Sequence, residues 1–456
     1  MNYLTLDEIL QATGGETLCV DRREFTGLSI DSRTIKEGEL FVALKGGNFD
    51  GHNFLKDALK KGGGAVVAVP PNKPAEGKTL IRVENTLAAL QDVARRVRSR
   101  MDVPVVGITG TNGKTTTKEL LASILGKSRK VLKTRGNMNN HIGLPLCVVN
   151  MHGDETAMVL EMGSNAEGDI RLLCEIAAPG FAVITNVGPA HLEGFGTLET
   201  VRKTDLEILD YAKSVSANAD DVFLMEGLKK FSGKLVTYGI ENSADVRAKD
   251  ILLEEKGARF TIRFKDGRRI SVRLGVAGRL NIYNALAAAS AADALGIGSE
   301  QIKSGLESFT GVPMRMEIKE LFGALVISDV YNANPASMGE ALRELIRLKK
   351  QRTIAVLGDM LELGRHSEGA HRELVKLMSD LNVDVFIAVG REMERASSEF
   401  KGICYSAEDP EGARSVLLSI CRESDTVLVK GSRGMQMEKV LAEPGKASMK
   451  GGSNAL

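Results

Sequence analysis

Seven residues, Gly110-Thr111-Asn112-Gly113-Lys114-Thr115-Thr116, stand between an apolar run, Val103 to Ile108, and a stretch of helix formers, Lys118 to Leu125. Glycines between a buried strand and a helix let backbone N–H groups turn inward around an anion. The new helix adds its positive N-terminal end. In such a loop Lys114 reaches the β- and γ-phosphates of a nucleotide, and the Thr115 hydroxyl sits on Mg²⁺. The usual spacing asks for a glycine about five residues before Gly113. Ile108 stands there, and the glycines fall at 107 and 110, so the loop is a variant. The plain alternative is a strand-to-helix turn that happens to hold a lysine.

Further polar groups fall where strands should end. The run Ala157 to Leu160 leads into Glu161-Met162-Gly163-Ser164, and Phe181 to Ile184 leads into Thr185-Asn186-Val187-Gly188-Pro189-Ala190-His191. In an open α/β sheet ligands gather outside the carboxyl ends of the strands, which brings Glu161 and His191 to the edge that carries Lys114. A carboxylate and an imidazole there can hold Mg²⁺ beside a triphosphate. A lone histidine also reads as a helix-entry or core residue. Asp31-Ser32-Arg33 and the Gly/Asn/Asp/His loop after Lys45 suit a phosphate or sugar, and equally suit turns. The amide-rich stretch 133–145, with Asn139 and Asn140, is either a recognition loop or a solvated connection. Asn281 and Asn284, ahead of an alanine-rich helix, read by themselves as capping residues.

The elements that carry these groups divide the chain into three α/β units: 1–82, 83–312 and 313–456. The first contains a strand at Glu39 to Leu44, a helix at Asn53 to Lys61 and a strand at Ala65 to Val69, with Pro70, Pro71 and Pro74 at its exit. A helix over residues 84–100, striped by Leu87, Leu90, Val93, Ala94 and Val97, delivers the chain to the glycine loop. A helix over Thr200 to Lys213 is expected. Short strands follow at Leu235 to Tyr238, Arg259 to Phe264 and Arg269 to Leu274, then the helix Ala285 to Leu295. After Gly311-Val312-Pro313, strand and helix alternate as in a doubly wound unit. Four of its strand ends are polar: Asp329 to Pro335, Gly358-Asp359-Met360, Gly390-Arg391 and Lys430 to Gly434. Together they predict a binding edge. The glycine- and serine-containing tail, 444–456, is expected to fray.

At 456 residues several cores are required. With 43% hydrophobic and 26% charged residues the composition is that of a soluble globular protein. A net charge of +1 gives no bulk attraction to nucleic acid or a membrane surface. Aromatics at 4%, with no tryptophan, argue against a stacking platform for single strands. No apolar stretch approaches the ~20 residues of a membrane span. The N-terminal MNYLTLDEILQATGG reads as an amphipathic helix ended by glycines, not as a signal peptide. Five scattered cysteines without CxxC spacing suit free thiols in a reducing cytoplasm.

With these pieces together, the chain resembles the Mur ligase family along nearly its whole length. The matching runs are Gly110 to Thr116, Gly136 to Pro145, Glu161-Met162-Gly163, Thr185 to Glu193, Tyr331-Asn332-Ala333-Asn334-Pro335, Val356 to Gly364 and Lys430-Gly431-Ser432. The Tyr331 and Val356 runs point to the branch that adds D-alanyl-D-alanine. The resemblance implies an N-terminal UDP-sugar-binding unit, a central P-loop ATPase and a C-terminal Rossmann-like unit that binds the incoming amine and closes over the cleft. It implies that ATP and Mg²⁺ activate the carboxylate of UDP-N-acetylmuramoyl-tripeptide as an acyl phosphate, which the amine of D-alanyl-D-alanine attacks. It implies that Lys114 and Thr115 hold phosphates and Mg²⁺, with Glu161 and His191 as metal ligands. Asn281 then meets the adenine, Arg315 the γ-phosphate and Asp329 the ribose. Asp31, Ser32 and Arg33 touch the UDP moiety, Asn139 and Asn140 the peptide-bearing substrate, and Tyr331, Asn332 and Asn334 belong to the substrate side of the C-terminal unit. A cytoplasmic monomer is expected.

Two positions depart from the family pattern. Fourteen residues after His191, where many members carry a carbamylated lysine on the second Mg²⁺, this chain has Asp205, kept as a metal-ligand candidate although its side chain is shorter. The family's histidine before the adenine-contacting asparagine is Leu280. Other readings are a different Mur-type or folylpolyglutamate-synthase-like ligase and an ATP-gated regulatory protein. The N-terminal unit argues against the folate branch, which begins directly with the ATPase.

Overall fold

The computed structural model describes residues 4–47, 49–72 and 76–442; Met1 to Tyr3, Asn48, Pro74 and the tail 444–456 lie outside them. Near the N-terminus, the helix Leu6–Thr13 is held at its start by a capping box between Thr5 and Glu8. It stops at Gly14, whose φ of 63° supplies the left-handed turn.

Three α/β units follow one another, each with its own sheet. The first sheet runs Glu16–Cys19, Thr79–Arg82, Gly64–Val67, Glu39–Val42, Gly27–Ser29 in space. Only its Glu16–Cys19 edge is antiparallel. The helix Thr86–Ser99 follows as expected: Leu90, Val93, Ala94 and Val97 are buried and Leu87 packs partly against the same core.

The central sheet has nine strands. Val105–Thr109 lies in its parallel part, between Ala157–Glu161 on one side and Phe181–Ile184 on the other. The chain leaves Val105–Thr109 for neighbours on one side, then returns to the other, so a crevice opens beyond its carboxyl end. Parallel strands buried on both faces need apolar side chains throughout, as VVGIT, AMVLE and FAVI supply. Strands at Ser214–Asn218 and Val246–Leu253 extend the sheet beyond the expected set. The first follows a helix that ends at Leu206 and a 3₁₀ turn over Glu207–Asp210, where one continuous helix to Lys213 was expected. The second alternates polar and apolar residues and is broken by a bulge near Asp250, whose φ is 54°. The alanine-rich helix, Arg279–Ala294, packs against the loop helix Lys114–Leu125 and the sheet. Ala285, Ala288, Ala289, Ala291 and Ala292 are fully buried there, small side chains that let the backbones come close.

The third sheet runs Glu317–Leu321, Ala324–Asp329, Asp425–Lys430, Arg352–Gly358, Val385–Val389, Ile403–Ala407, parallel except at the first pair. Its two outer strands were not expected. Ile403–Ala407 is exposed along most of its length and shows no apolar alternation.

The C-terminal unit meets the central one along two seams. At the cleft, Asn112 and Asn334 exchange amide hydrogen bonds at 3.4 and 2.8 Å. At the other, Lys350 pairs with Glu255 at 2.6 Å and Arg347 donates to the Glu254 carbonyl at 2.9 Å.

Gly305, on the helix Ser299–Glu307, lies directly against the loop helix: an added Cβ would sit 2.4 Å from Ile124 Cα. Backbone on both sides cannot yield as a flexible side chain would. Gly305→Ala should therefore destabilise the central unit by about 1–3 kcal/mol, read as a fall in its thermal unfolding midpoint.

Candidate active site

The glycine loop works because two positions have no side chain. Gly110 has φ 120°, and a Cβ there would lie 2.2 Å from Thr185 Oγ1. Gly113 has φ 85°, and its Cβ would lie 2.2 Å from Asn284 Oδ1. Gly107 serves packing instead, inside its strand against Met162 and Ile208. The loop is tied to the next strand end: Thr111 N–H donates to the Asn186 carbonyl at 2.8 Å, and Asn112 N–H to Asn186 Oδ1 at 3.1 Å. Lys114 opens the helix and folds back, donating to the carbonyls of Gly110 at 2.5 Å and Thr111 at 3.2 Å. Burial pushes its ammonium below the ordinary value, against the opposing pull of Glu161 and Asp205. The positive charge is thus poorly compensated, which favours an arriving polyphosphate.

Strand register sets the remaining groups. Glu161 pairs with Ile108 and Ile184 with Thr109, so Glu161 and Thr185 flank the start of the loop. Glu161 is 3% exposed, with Oε1 accepting from Asn139 Nδ2 at 2.8 Å and Oε2 accepting no hydrogen bond. Lys118, wholly buried, stands 3.6 Å from that oxygen. A buried carboxylate oxygen without a donor, in the wall of a cleft, is what a hard cation would satisfy. His191 lines the same cleft, its Nδ1 2.5 Å from Glu362 Oε2, and this bond holds the Glu362 carboxyl below the usual range. Among the described residues no three His, Cys, Asp or Glu side chains converge on a ready-made metal cage. Mg²⁺ normally takes one or two carboxylates and completes its shell with phosphate oxygens and water, so this donor set fits it.

The cleft holds about 1300 Å³ between the central and C-terminal units. It brings together Thr111 to Thr116, Asn139, Asn140, Glu161, His191, Asn281, Arg315, Asp329, Tyr331, Asn332 and Asn334. Arg315 lies over the Tyr331 ring at 4.0 Å and donates to Thr115 Oγ1 at 3.0 Å, across the place where phosphates would lie. Asp329 pairs with the buried Lys430 at 2.6 Å. Several of the asparagines have local work. Asn140 Oδ1 accepts from the N–H groups of Ile142 and Gly143, and Asn332 Oδ1 from those of Ala333 and Arg433. Asn334 caps the helix Pro335–Arg347 while pairing with Asn112. Asn281, at 8% exposure, donates to the Ala277 carbonyl inside its helix's first turn rather than capping it.

The other expected positions fall outside the lining of this cleft. Asp205 does not line the cleft: 2% exposed, it braces the loop from beneath, Oδ1 accepting from Thr109 Oγ1 at 2.7 Å and from Gly110 N–H at 3.1 Å. In this position it serves the loop as a brace. Asp31, Ser32 and Arg33 stand apart from this cleft, Asp31 and Arg33 forming a forked ion pair at 2.7 Å. Of the four polar strand ends, Gly358-Asp359-Met360 and Gly390-Arg391 are both absent from the lining, and Asp359 accepts from Met393 N–H at 2.8 Å in the helix that follows Gly390. Sequence reasoning missed Asn284, Lys118 and Glu362 as site residues. Asn284, one helical turn beyond Asn281, and Glu362, inside a motif run, carried a signal. Lys118 looked like any surface lysine on a helix.

A phosphate loop between a parallel strand and a helix, with acid and imidazole on the flanking strand ends, defines a P-loop nucleotide-dependent enzyme of three α/β domains. Residues 24–98 match the Mur ligase family catalytic domain, 108–292 the Mur ligase middle domain, and 314–433 the Mur ligase, glutamate ligase domain. The UDP-N-acetylmuramoyl-tripeptide–D-alanyl-D-alanine ligase of Bacillus subtilis is 36% identical over 430 residues, 91% of this chain and 92% of that protein. MurF from Acinetobacter baumannii superposes with a TM-score of 0.90 at 31% identity, covering 97% of this chain and 98% of the other. MurF ligase from Thermotoga maritima in complex with ADP gives 0.82 at 33%, covering 91% and 96%. The chain belongs to the Mur ligase family, whose members are ATP-dependent ligases.

Burial pushes the Asp205 carboxyl up to about 6, with the Thr109 bond, the Lys114 charge and the Gly110 bond opposing. Because the folded value is raised, the protonated form is favoured by folding. That stabilisation is complete below the ordinary value of 3.8 and is lost as pH rises through about 6. Asn at this position keeps an acceptor for both donors and carries no charge. Asp205→Asn should flatten the loss of thermal stability between pH 4 and 7 and leave the Mg²⁺ dependence of activity unchanged.

Proposed function

We propose that this protein joins D-alanyl-D-alanine to UDP-N-acetylmuramoyl-tripeptide, consuming ATP and releasing ADP and phosphate, in the cytoplasmic synthesis of peptidoglycan precursors. The observation that carries the reading is the cleft itself. The phosphate loop, the buried Lys114 and a buried carboxylate oxygen without a donor face the C-terminal unit across one 1300 Å³ space. The near full-length likeness to the Bacillus subtilis ligase supports the choice of substrates.

In this reading residues 1–82 bind the UDP-sugar, with Asp31, Ser32 and Arg33 at the nucleotide. Residues 83–312 bind ATP, and 313–456 bring the dipeptide. A carboxylate is a poor acyl donor because its leaving group would be oxide; phosphorylation replaces that with phosphate. Phosphoryl transfer asks mainly for positioning and charge neutralisation. Gly110 to Thr116 cradle the phosphates, Lys114 and Arg315 neutralise charge on the transferred group, Asn281 meets the base and Asp329 the ribose. Thr115, Glu161 and His191 would hold Mg²⁺, which supplies further neutralisation between triphosphate and carboxylate when bound. Asn139 and Asn140 face the peptide-bearing substrate, and Tyr331, Asn332 and Asn334 the incoming amine. Excluding water from the acyl phosphate is what closure of the third unit accomplishes. The enzyme acts as a monomer.

Phosphate release should require both peptide substrates, and each omission should reduce it to background. Release that ignores them defeats the ligase reading. Lys114→Met should lower kcat by roughly a hundred- to a thousandfold with the thermal midpoint little changed.

A further inference from the structure

His191 and Glu362 are both non-glycine residues in the left-handed region, at φ 51° and 62°, and they meet across the two units. A second bond fixes the same junction, Glu193 N–H donating to the Glu362 carbonyl at 3.0 Å. Gly364 completes it, lying so near Glu193 that an added Cβ would be 3.3 Å from that residue's Cα. Backbones of this kind are uncommon outside glycine and cluster where surrounding contacts enforce them for function. Here those contacts lead to one result, a carboxylate 2.5 Å from Nδ1 of His191.

The chemistry of that contact selects a tautomer. A carboxylate accepts hydrogen bonds and donates none, so the imidazole nitrogen facing it carries the hydrogen. A neutral ring then has its one lone pair on Nε2. Histidines that bind metals commonly have this arrangement, one nitrogen bonded to an oxygen acceptor and the other to the ion. Loss of the acceptor weakens the metal site without removing a ligand. Glu362 lines the same cleft, and the C-terminal unit carries it.

We propose that Glu362 is a positioning residue for His191. It presents Nε2 to the cation, and because it arrives with the C-terminal unit it makes cation binding and docking of that unit mutually reinforcing. Linkage requires the effect to be reciprocal: whatever docking adds to cation affinity, the cation adds to docking. The proposal rests on the assignment of His191 to Mg²⁺ made above.

The test uses the full chain with ADP and no peptide substrate, and Mn²⁺ as the probe, its free concentration read by electron paramagnetic resonance. Glu362→Ala should raise the Mn²⁺ dissociation constant about tenfold. Glu362→Gln, whose carbonyl oxygen still accepts from Nδ1, should restore most of the affinity. Affinity unchanged in Glu362→Ala overturns the proposal. Equal loss in both variants also overturns it, since net charge and not the accepted bond would then be responsible. His191→Ala separates the layers: if it too leaves Mn²⁺ binding intact, the underlying metal assignment fails, whereas its impairment beside an inert Glu362→Ala defeats only the role of Glu362. In small-angle scattering, Mn²⁺ with ADP should compact the wild-type chain and not Glu362→Ala. No compaction of the wild type, or equal compaction of both, overturns the link to docking.

Discussion

The cleft depends on two backbone crossings that leave no room for a side chain. Gly110 passes against Thr185 and Gly113 against Asn284, each closer than any Cβ would allow. These approaches let the loop settle between a strand end on one side and the alanine-rich helix on the other. Amide bonds to Asn186 hold it there from the strand side and the carboxylate of Asp205 holds it from below. The loop's shape therefore belongs to its surroundings as much as to its own seven residues. That explains how a spacing irregular for a phosphate loop still produces a cradle: the neighbours supply the constraint that a further glycine would otherwise have to permit.

Much of this was legible in the residues. Strands such as VVGIT and FAVI announce themselves by continuous burial-grade side chains between glycine and polar turns, and the helix over Thr86–Ser99 by its stripe. The position of Glu161 and His191 followed from one topological rule, that ligands gather beyond the carboxyl ends of parallel strands. What escaped were features whose cause is tertiary. Ser214–Asn218 is a strand because two neighbours pair with it, Phe181–Ile184 and Lys234–Gly239; its own sequence has little apolar content. Ile403–Ala407 is an edge, exposed and without alternation. Glu362 meets His191 across 171 positions of sequence separation, which no local pattern can reveal.

Asp205 shows how placement sets a residue's work. A carboxylate suits a cation as well as it suits two hydrogen-bond donors. Here its side chain ends at the loop's underside and accepts from Thr109 and Gly110. The carboxylate oxygen without a donor in the cleft wall belongs instead to Glu161, at the end of its strand. The buried Lys118, 3.6 Å from Glu161, keeps that carboxylate company in a wall that would otherwise concentrate negative charge.

The two seams between the central and C-terminal units differ in electrical character. Beside the nucleotide loop the contact includes a pair of neutral amides, Asn112 and Asn334, whose exchange of donor and acceptor survives if both groups are turned over together. At the far margin it is an ion pair between exposed side chains, Lys350 and Glu255. Dissolved ions screen the second and scarcely touch the first. Rising ionic strength therefore weakens the far margin, while the amide pair and the Glu193–Glu362 backbone bond still hold the cleft side together.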